Sequence, residues 1–162
     1  GQIYLQADLF NAGIRPAINV GQSVSRVGGA AQTPAIKSVS GKLRLDLAQY
    51  NSLAAFAQFG SELDQATQKQ LDRGKRLTEI LKQPQFAPLP EELEILSLYS
   101  VIGDSMDDIP IDSFVRFEKE LHNFMKRQYP NILKSLSTGE KPTEQTLNQI
   151  KKGVAEFKKR FE

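Results

Sequence analysis

Apolar residues change their spacing along the chain near residue 33. Before that point, short apolar runs at Ile3-Tyr4-Leu5 and at residues 16–20 lie between glycine-rich turns, a pattern that predicts short strands. After it, apolar residues recur every three or four positions, as they do on the buried side of a helix. The pattern therefore predicts a mainly α chain, in which a helical bundle follows irregular β structure at the edge of a larger α/β domain.

Capping residues and prolines set the predicted helix boundaries. Gly41 lies inside the first predicted helix, so a kink or break is expected beside it. The prolines at residues 84–90 predict an extended loop between the second and third helices. The helices are predicted from Thr33 to a turn at residues 59–61, from Asp64 to about Lys82, from Pro90 to about Gly103, from Asp112 to a bend or break at Pro130, and from Thr143 to Phe161.

Length and composition limit the class of protein. The 162 residues correspond to about one domain, and 40% hydrophobic with 25% charged residues is average for a folded globular protein. No stretch approaches the roughly 20 consecutive apolar residues of a spanning helix, and no signal peptide opens the sequence. Because the chain begins at Gly1 rather than Met and enters a strand-like run at once, we expect it to be a piece of a longer protein.

Charge and residue types exclude several kinds of site. The net charge of +2 is far below the single-signed surface that nucleic-acid binding usually requires, so no nucleic-acid partner is predicted. The absence of Cys removes disulfides, thiolate nucleophiles and the usual structural zinc sites. No metal site is predicted.

Catalysis by this protein alone is not supported. The single histidine, His122, lies one residue past an apolar stripe and is interpreted as a surface or boundary residue, without partners for a triad. A Gly-x-x-x-x-Gly-Lys-[Ser/Thr] phosphate loop is absent from the sequence. Arg26 follows a strand-like run in a turn of small residues. It is either an ordinary loop residue or a fixed cation presented to phosphate charge on a partner.

Three ordered blocks of sequence carry a family resemblance. Residues 13–28, which include Ser23-Val24-Ser25-Arg26, together with residues 56–61 and 73–83, resemble the alpha subunits of F-type ATP synthases. The resemblance implies that residues 1–33 are the C-terminal edge of a nucleotide-binding domain without its phosphate loop, and that residues 34–162 are a C-terminal helical domain. The strand-containing part would then be the remnant of an α/β nucleotide-binding domain.

The resemblance also implies roles for individual residues. Arg26 matches the arginine finger that an alpha subunit extends into the catalytic site of the neighbouring beta subunit. Phe10 and Phe86 are expected near a non-catalytic nucleotide pocket, whose adenine would be enclosed by Arg15, Pro16, Gln83 and Gln85. A loop facing the rotating gamma subunit is implied at Phe59, Gly60, Ser61, Glu62, Leu63 and Asp64.

The implied function is that of a regulatory, non-catalytic part of a rotary ATP synthase. That complex makes ATP from ADP and phosphate with a transmembrane proton gradient and can hydrolyse ATP in reverse. The implied partners are beta subunits in an alternating hexameric ring and the gamma rotor, with Mg-ATP or Mg-ADP bound to the full-length subunit. The complex would lie on the cytoplasmic face of a bacterial plasma membrane, or the matrix or stroma face of an organelle membrane, and contact the membrane only indirectly.

The isolated chain is predicted to be inactive and to bind no ATP measurably, because a phosphate-holding loop is missing from it. Residues 1–30 are expected to be mobile or to pair with another copy. The alternative hypothesis is a standalone helical protein-interaction module without nucleotide function, whose strands add to a partner's sheet. A phosphate loop in the preceding sequence of a longer protein would exclude that alternative.

Overall fold

The computed structural model describes residues 1–57, 63–103 and 105–161. In those ranges no helix combines the length and apolar character needed to cross a membrane. A 3₁₀ helix spans Ile111–Ser113. The α-helices are α1 (Ala7–Asn11), α2 (Gly28–Ala31), α3 (Pro34–Ser40), α4 (Leu43–Ala57), α5 (Gln65–Ile80), α6 (Glu91–Ile102), α7 (Phe114–Gln128), α8 (Pro130–Leu136) and α9 (Glu144–Lys158).

The predicted capping residues begin three helices as expected. The Thr33 hydroxyl accepts from the Ile36 backbone N–H at 3.3 Å and begins α3 with Pro34 at its first position. Asp64 and Thr143 cap α5 and α9 in the same way, at 2.7 and 3.2 Å. Each such bond satisfies a helix-end N–H that has no intrahelical partner. The long first helix is in fact two, α3 and α4, with the break beside Gly41.

Helix α6 is the centre of the bundle. After the first turn its sequence has no charged residue, and Leu93, Ile95, Leu96, Leu98 and Val101 are all buried together with Ser97 and Ser100. Helices α3, α5, α8 and α9 pack around it. A helix that is hydrophobic all round requires such complete enclosure.

Aromatic side chains form a cluster between α7 and α9. The Phe117 ring is fully buried and lies 5.0 Å from the Phe157 ring and 4.9 Å from the Phe161 ring, centroid to centroid. The tilted and edge-on arrangements are those that aromatic quadrupoles favour. This cluster fixes α9 against α7.

Helices α4 and α5 approach closely because α5 carries a glycine at the contact. A Cβ added at Gly74 would lie 2.3 Å from ring atoms of Tyr50, so no larger residue fits without moving a helix. On the same helix Leu71, Leu77 and Ile80 are buried as predicted, whereas Ala66, predicted to face inward, is exposed.

The short strands predicted in residues 1–33 are not present as strands, although the two predicted runs are paired at one bridge, Leu5 with Ile18. The described part of that region holds two isolated antiparallel bridges, Gln2 with Val24 and Leu5 with Ile18, and no strand. The pairing of Leu5 with Ile18 does not extend into a strand. The backbone on one side turns into α1 at Ala7, and on the other side Pro16 has no N–H to donate. The helices α1 and α2 in this region were not predicted.

Candidate functional site

A cavity of about 1020 Å³, termed the larger cavity, lies between the start of the chain and the loop that joins α5 to α6. Four of the predicted site residues line it together: Arg15, Pro16, Gln83 and Gln85. The full lining is Leu5, Gln6, Ala7, Phe10, Arg15, Pro16, Ala17, Gln83, Pro84, Gln85, Phe86, Ala87 and Pro88. Residues far apart in sequence therefore form one concave surface.

Hydrogen bonds hold the two sides of the larger cavity together. The backbone N–H of Gln83 donates to the Arg15 carbonyl at 2.8 Å, so the loop is tied to the N-terminal segment, defined as residues 1–33. The Gln83 side-chain Nε2 donates to the Ala87 carbonyl at 2.8 Å. This bond uses one donor of the amide and does not use its Oε1, which can accept a hydrogen bond.

Two aromatic rings, Phe10 and Phe86, also line the larger cavity. The Arg15 guanidinium carbon lies 4.3 Å from the centre of the Phe10 ring, a cation–π contact that holds the Arg15 side chain in place. Phe86 is 93% exposed and has a φ of +60°, a region that bulky residues rarely adopt. An exposed phenyl group on strained backbone at a cavity is typical of a residue kept for contact with a ligand.

The amide of Gln6, which the sequence did not single out, also lines this cavity. Its Oε1 accepts from Asn19 Nδ2 at 3.0 Å and its Nε2 donates to Gln22 Oε1 at 3.1 Å. These bonds connect the cavity wall to the turn that precedes Arg26. No local pattern around Gln6 could have revealed this position, because it depends on how the N-terminal segment folds back.

Arg26 lies apart from the larger cavity, exposed in a bend just before α2. The neighbouring serines shape the turn through their hydroxyl groups. Ser23 Oγ donates to the Asn19 carbonyl at 2.6 Å, and Ser25 Oγ accepts from the Gly28 N–H at 2.8 Å. Among the described residues no hydrogen bond or ion pair engages the Arg26 guanidinium, so its donors face solvent.

The predicted rotor-facing loop lies largely outside the described residues. Phe59, Gly60, Ser61 and Glu62 fall in that gap, while Leu63 is half-buried and Asp64 is exposed. The Thr67 backbone N–H donates to the Asp64 carboxylate and holds the pKa of that group below its usual value. Asp64 therefore has a structural task as the cap of α5, separate from any contact with a partner.

The interpretation of His122 as a surface or boundary residue was wrong. The ring is 6% exposed, and its Nε2 lies 2.7 Å from Ser97 Oγ, which also donates to Glu118 at 2.7 Å. Burial, with a smaller effect of Lys126, lowers the pKa of His122 to about 4, and burial raises the pKa of Glu118.

The ring and the Glu118 carboxylate are 3.9 Å apart, an ion-pair distance. Because burial holds the pKa of His122 near 4, its ring is uncharged at neutral pH, and we interpret the cluster as a hydrogen-bond network centred on Ser97 rather than an ion pair. Ser97 is 2% exposed, so no substrate can approach its hydroxyl, and the cluster is structural despite its catalytic residue types.

Comparison with known proteins gives one consistent family. The family model described as the ATP synthase alpha/beta chain, C terminal domain, matches residues 32–157. The ATP synthase subunit alpha of Aquifex aeolicus is 54% identical over 161 residues, which is 99% of this chain and 32% of that protein. The subunit alpha of Streptomyces griseus is 51% identical over 162 residues, 100% of this chain and 31% of that protein. The chain thus spans about a third of the length of these relatives.

Proposed function

Because this protein belongs to the family formed by the C-terminal domains of ATP synthase alpha and beta subunits, we propose that it works as the C-terminal part of an alpha subunit in a rotary ATP synthase. The complex makes ATP from ADP and phosphate with a transmembrane proton gradient, or hydrolyses ATP in reverse. Within it this protein is regulatory and structural. Its partners are beta subunits in an alternating hexameric ring and the gamma rotor, which the loop at residues 59–64 faces.

The larger cavity is the observation that carries the nucleotide part of the proposal. An adenine ring needs flat apolar surfaces on its faces and hydrogen-bond partners along its edge. Phe10 and Phe86 offer the surfaces, and the Oε1 of Gln83, which no described residue engages, and the amide of Gln85 offer the partners. Arg15, held on the Phe10 ring, adds donors beside the base.

These residues account for the base only. The sequence has no phosphate loop, so the phosphates of Mg-ATP or Mg-ADP would be held by residues of the longer subunit outside this sequence. In the full subunit, this cavity selects the base of a non-catalytic nucleotide and does not take part in bond making. The assembled synthase is peripheral to the membrane, on the cytoplasmic face in a bacterium or the matrix or stroma face in an organelle.

Arg26 acts as an arginine finger in the catalytic site of the neighbouring beta subunit. A planar guanidinium can donate two parallel hydrogen bonds to the oxygens of a transferring phosphoryl group, on which negative charge must be stabilised. The exposed position of Arg26, the serine-braced turn and the solvent-facing donors support this role. Arginines supplied in trans in other phosphoryl-transfer enzymes contribute about 10³ to 10⁵ in rate.

The test is the steady-state ATPase activity of the assembled alpha–beta ring with gamma, carrying Arg26→Lys. Lysine keeps the charge and loses the planar fork, so turnover should fall at least about a hundredfold while assembly is unchanged. The matched control is Arg127→Lys, which changes an exposed arginine on α7. Unchanged turnover in Arg26→Lys would refute the finger role.

Base selection is tested separately on the full-length alpha subunit. Replacing the Gln85 amide by the similarly sized Leu side chain should weaken ATP binding at the non-catalytic site about tenfold, the loss expected for one hydrogen bond. Gln32→Leu, an exposed glutamine away from the cavity, serves as control. An equal effect of both variants, measured by equilibrium nucleotide binding, would exclude Gln85 from the site.

A further inference from the structure

A second cavity, termed the smaller cavity, lies between the N-terminal segment and helices α4 and α5. Its volume is about 330 Å³, near the lower end of the range for small-molecule sites. Apolar side chains form most of its wall, including Ile18 and Val20 from the segment, Leu47 from α4 and Leu81 at the end of α5. A cavity of this kind favours a compact ligand with an apolar body.

Two polar side chains of α4 lie in the same lining. Arg44 and Asn51 are exposed and seven residues apart, so two helical turns place them on one side of α4. One guanidinium nitrogen of Arg44 donates to the Gly21 carbonyl at 3.2 Å, which anchors the side chain across the cavity mouth. The Asn51 amide has no hydrogen-bond partner in the part of the protein that the structure describes.

The charge at this cavity is positive and uncompensated. The lining residues include no Asp or Glu, and among the described residues no carboxylate lies within ion-pair distance of Arg44. The remaining N–H groups of the guanidinium are therefore available to an anion. A planar guanidinium matches the two oxygens of a carboxylate, and a nearby amide N–H can add a third bond.

We propose that the smaller cavity binds a soluble amphiphilic carboxylate, with the apolar tail between the segment and α4–α5 and the carboxylate on Arg44 and Asn51. A neutral apolar molecule would engage neither the remaining N–H groups of Arg44 nor the Asn51 amide. An amphiphilic amine would place a second positive charge beside Arg44. The small volume restricts the tail to a short or medium length.

The test is an NMR titration of the 162-residue protein with octanoate, 1-octanol and octylamine as probes. Octanoate should shift the Asn51 side-chain amide and the methyl groups of Leu47 and Leu81 saturably, with at least about tenfold higher affinity than octanol and with octylamine the weakest. Absence of saturable binding, or equal affinity for octanoate and octanol, would overturn the proposal.

Two variants assign the effect to this cavity. Arg44→Gln should remove the tenfold preference for octanoate over octanol, while Lys42→Gln, which deletes a neighbouring charge that does not line the cavity, should keep it. Ala48→Phe should fill the cavity and abolish binding of both probes. A preference that survives Arg44→Gln, or octanoate binding that survives Ala48→Phe in a folded protein, would place the site elsewhere.

Discussion

The N-terminal segment and the helical bundle, defined as residues 34–161, differ in how far their apolar side chains are exposed to solvent. In the bundle, Leu77 and Phe117 are fully buried, whereas in the segment Ile3 and Leu5 are 74% and 70% exposed. Among the described residues of the segment, Ala17 alone is a buried hydrophobic. The bundle therefore supplies a core of its own, and the segment contributes surfaces and cavity walls rather than core.

Polar groups show the same division. The bundle encloses Ser97 and His122 in a hydrogen-bond network with Glu118, while the segment leaves Arg15 and Arg26 exposed. Buried polar groups need internal partners, whereas exposed ones remain available for ligands. The comparison teaches that changes in the bundle should alter stability, and that matched changes in the segment should alter binding with little effect on stability.

The largest expected difference comes from deleting apolar side chains. Phe117→Ala should lower the free energy of unfolding by about 3–5 kcal/mol, because it opens a cavity within the aromatic cluster. Leu5→Ala, in the segment, should change it by less than about 0.5 kcal/mol. Urea unfolding of both variants measures the two values. A comparable loss in Leu5→Ala would show that the segment also belongs to the stabilising core.

Acid should destabilise the bundle through His122. Above pH 6.5 the ring is neutral in both states, but between pH 6.5 and about 4 the unfolded state binds a proton that the folded state does not. The free energy of unfolding should therefore fall by about 3 kcal/mol across that window. The raised pKa of Glu118 acts in the opposite direction as the pH falls toward 4.5.

Two variants separate these contributions in unfolding measured from pH 7 to 4. His122→Gln should flatten the loss, because its side chain does not titrate, and Glu118→Gln should steepen it by removing the opposing group. An unchanged pH profile in His122→Gln would contradict the assignment to this ring.

Glycine-to-alanine substitutions compare how tightly side chains pack in the bundle and in the N-terminal segment. Gly74→Ala should destabilise the protein by about 1–3 kcal/mol, because the new methyl group overlaps the Tyr50 ring and pushes α4 from α5. Gly29→Ala, in α2 of the segment, meets nothing within 4 Å and should be neutral or slightly stabilising. Thermal unfolding compares the two, and a larger loss at Gly29 would reverse the expected order.

The smallest expected effect concerns helix capping. Thr143→Ala should cost about 1 kcal/mol by leaving the Thr146 N–H without its acceptor, and Thr143→Ser should retain most of the stability. Val27 stands at the N-terminus of α2 without a side-chain cap bond. Val27→Ala should therefore have no measurable capping effect, and a similar loss at both positions in urea unfolding would argue against capping as the cause.

The helices were predictable because their signals are local. The caps at Thr33, Asp64 and Thr143 and the three-and-four spacing each depend on residues within one or two turns. The strands predicted in the N-terminal segment are present only as isolated bridges, because an apolar run of five residues does not determine whether a neighbouring strand is present to pair with it. The division between residues 1–33 and 34–162 as separate domains stays a prediction.

The candidate site depended on two kinds of information. The family resemblance selected Arg15, Pro16, Gln83 and Gln85, but their residue types alone would suit any exposed loop. The structure adds that they line one cavity with Phe10 and Phe86, because Gln83 donates to the Arg15 carbonyl. A contact of such long sequence separation follows from helix packing, which places the end of α5 beside the segment.

By itself, the sequence determined where α3, α5 and α9 begin, the family to which the protein belongs and the absence of a phosphate loop. These properties depend on neighbouring residues or on ordered motifs, and both are visible in the linear sequence. The tertiary structure decided that His122 is buried, that Gly74 accommodates Tyr50, and that Arg44 and Asn51 share an apolar cavity. Burial and long-range contact depend on how helices pack, which no local pattern specifies.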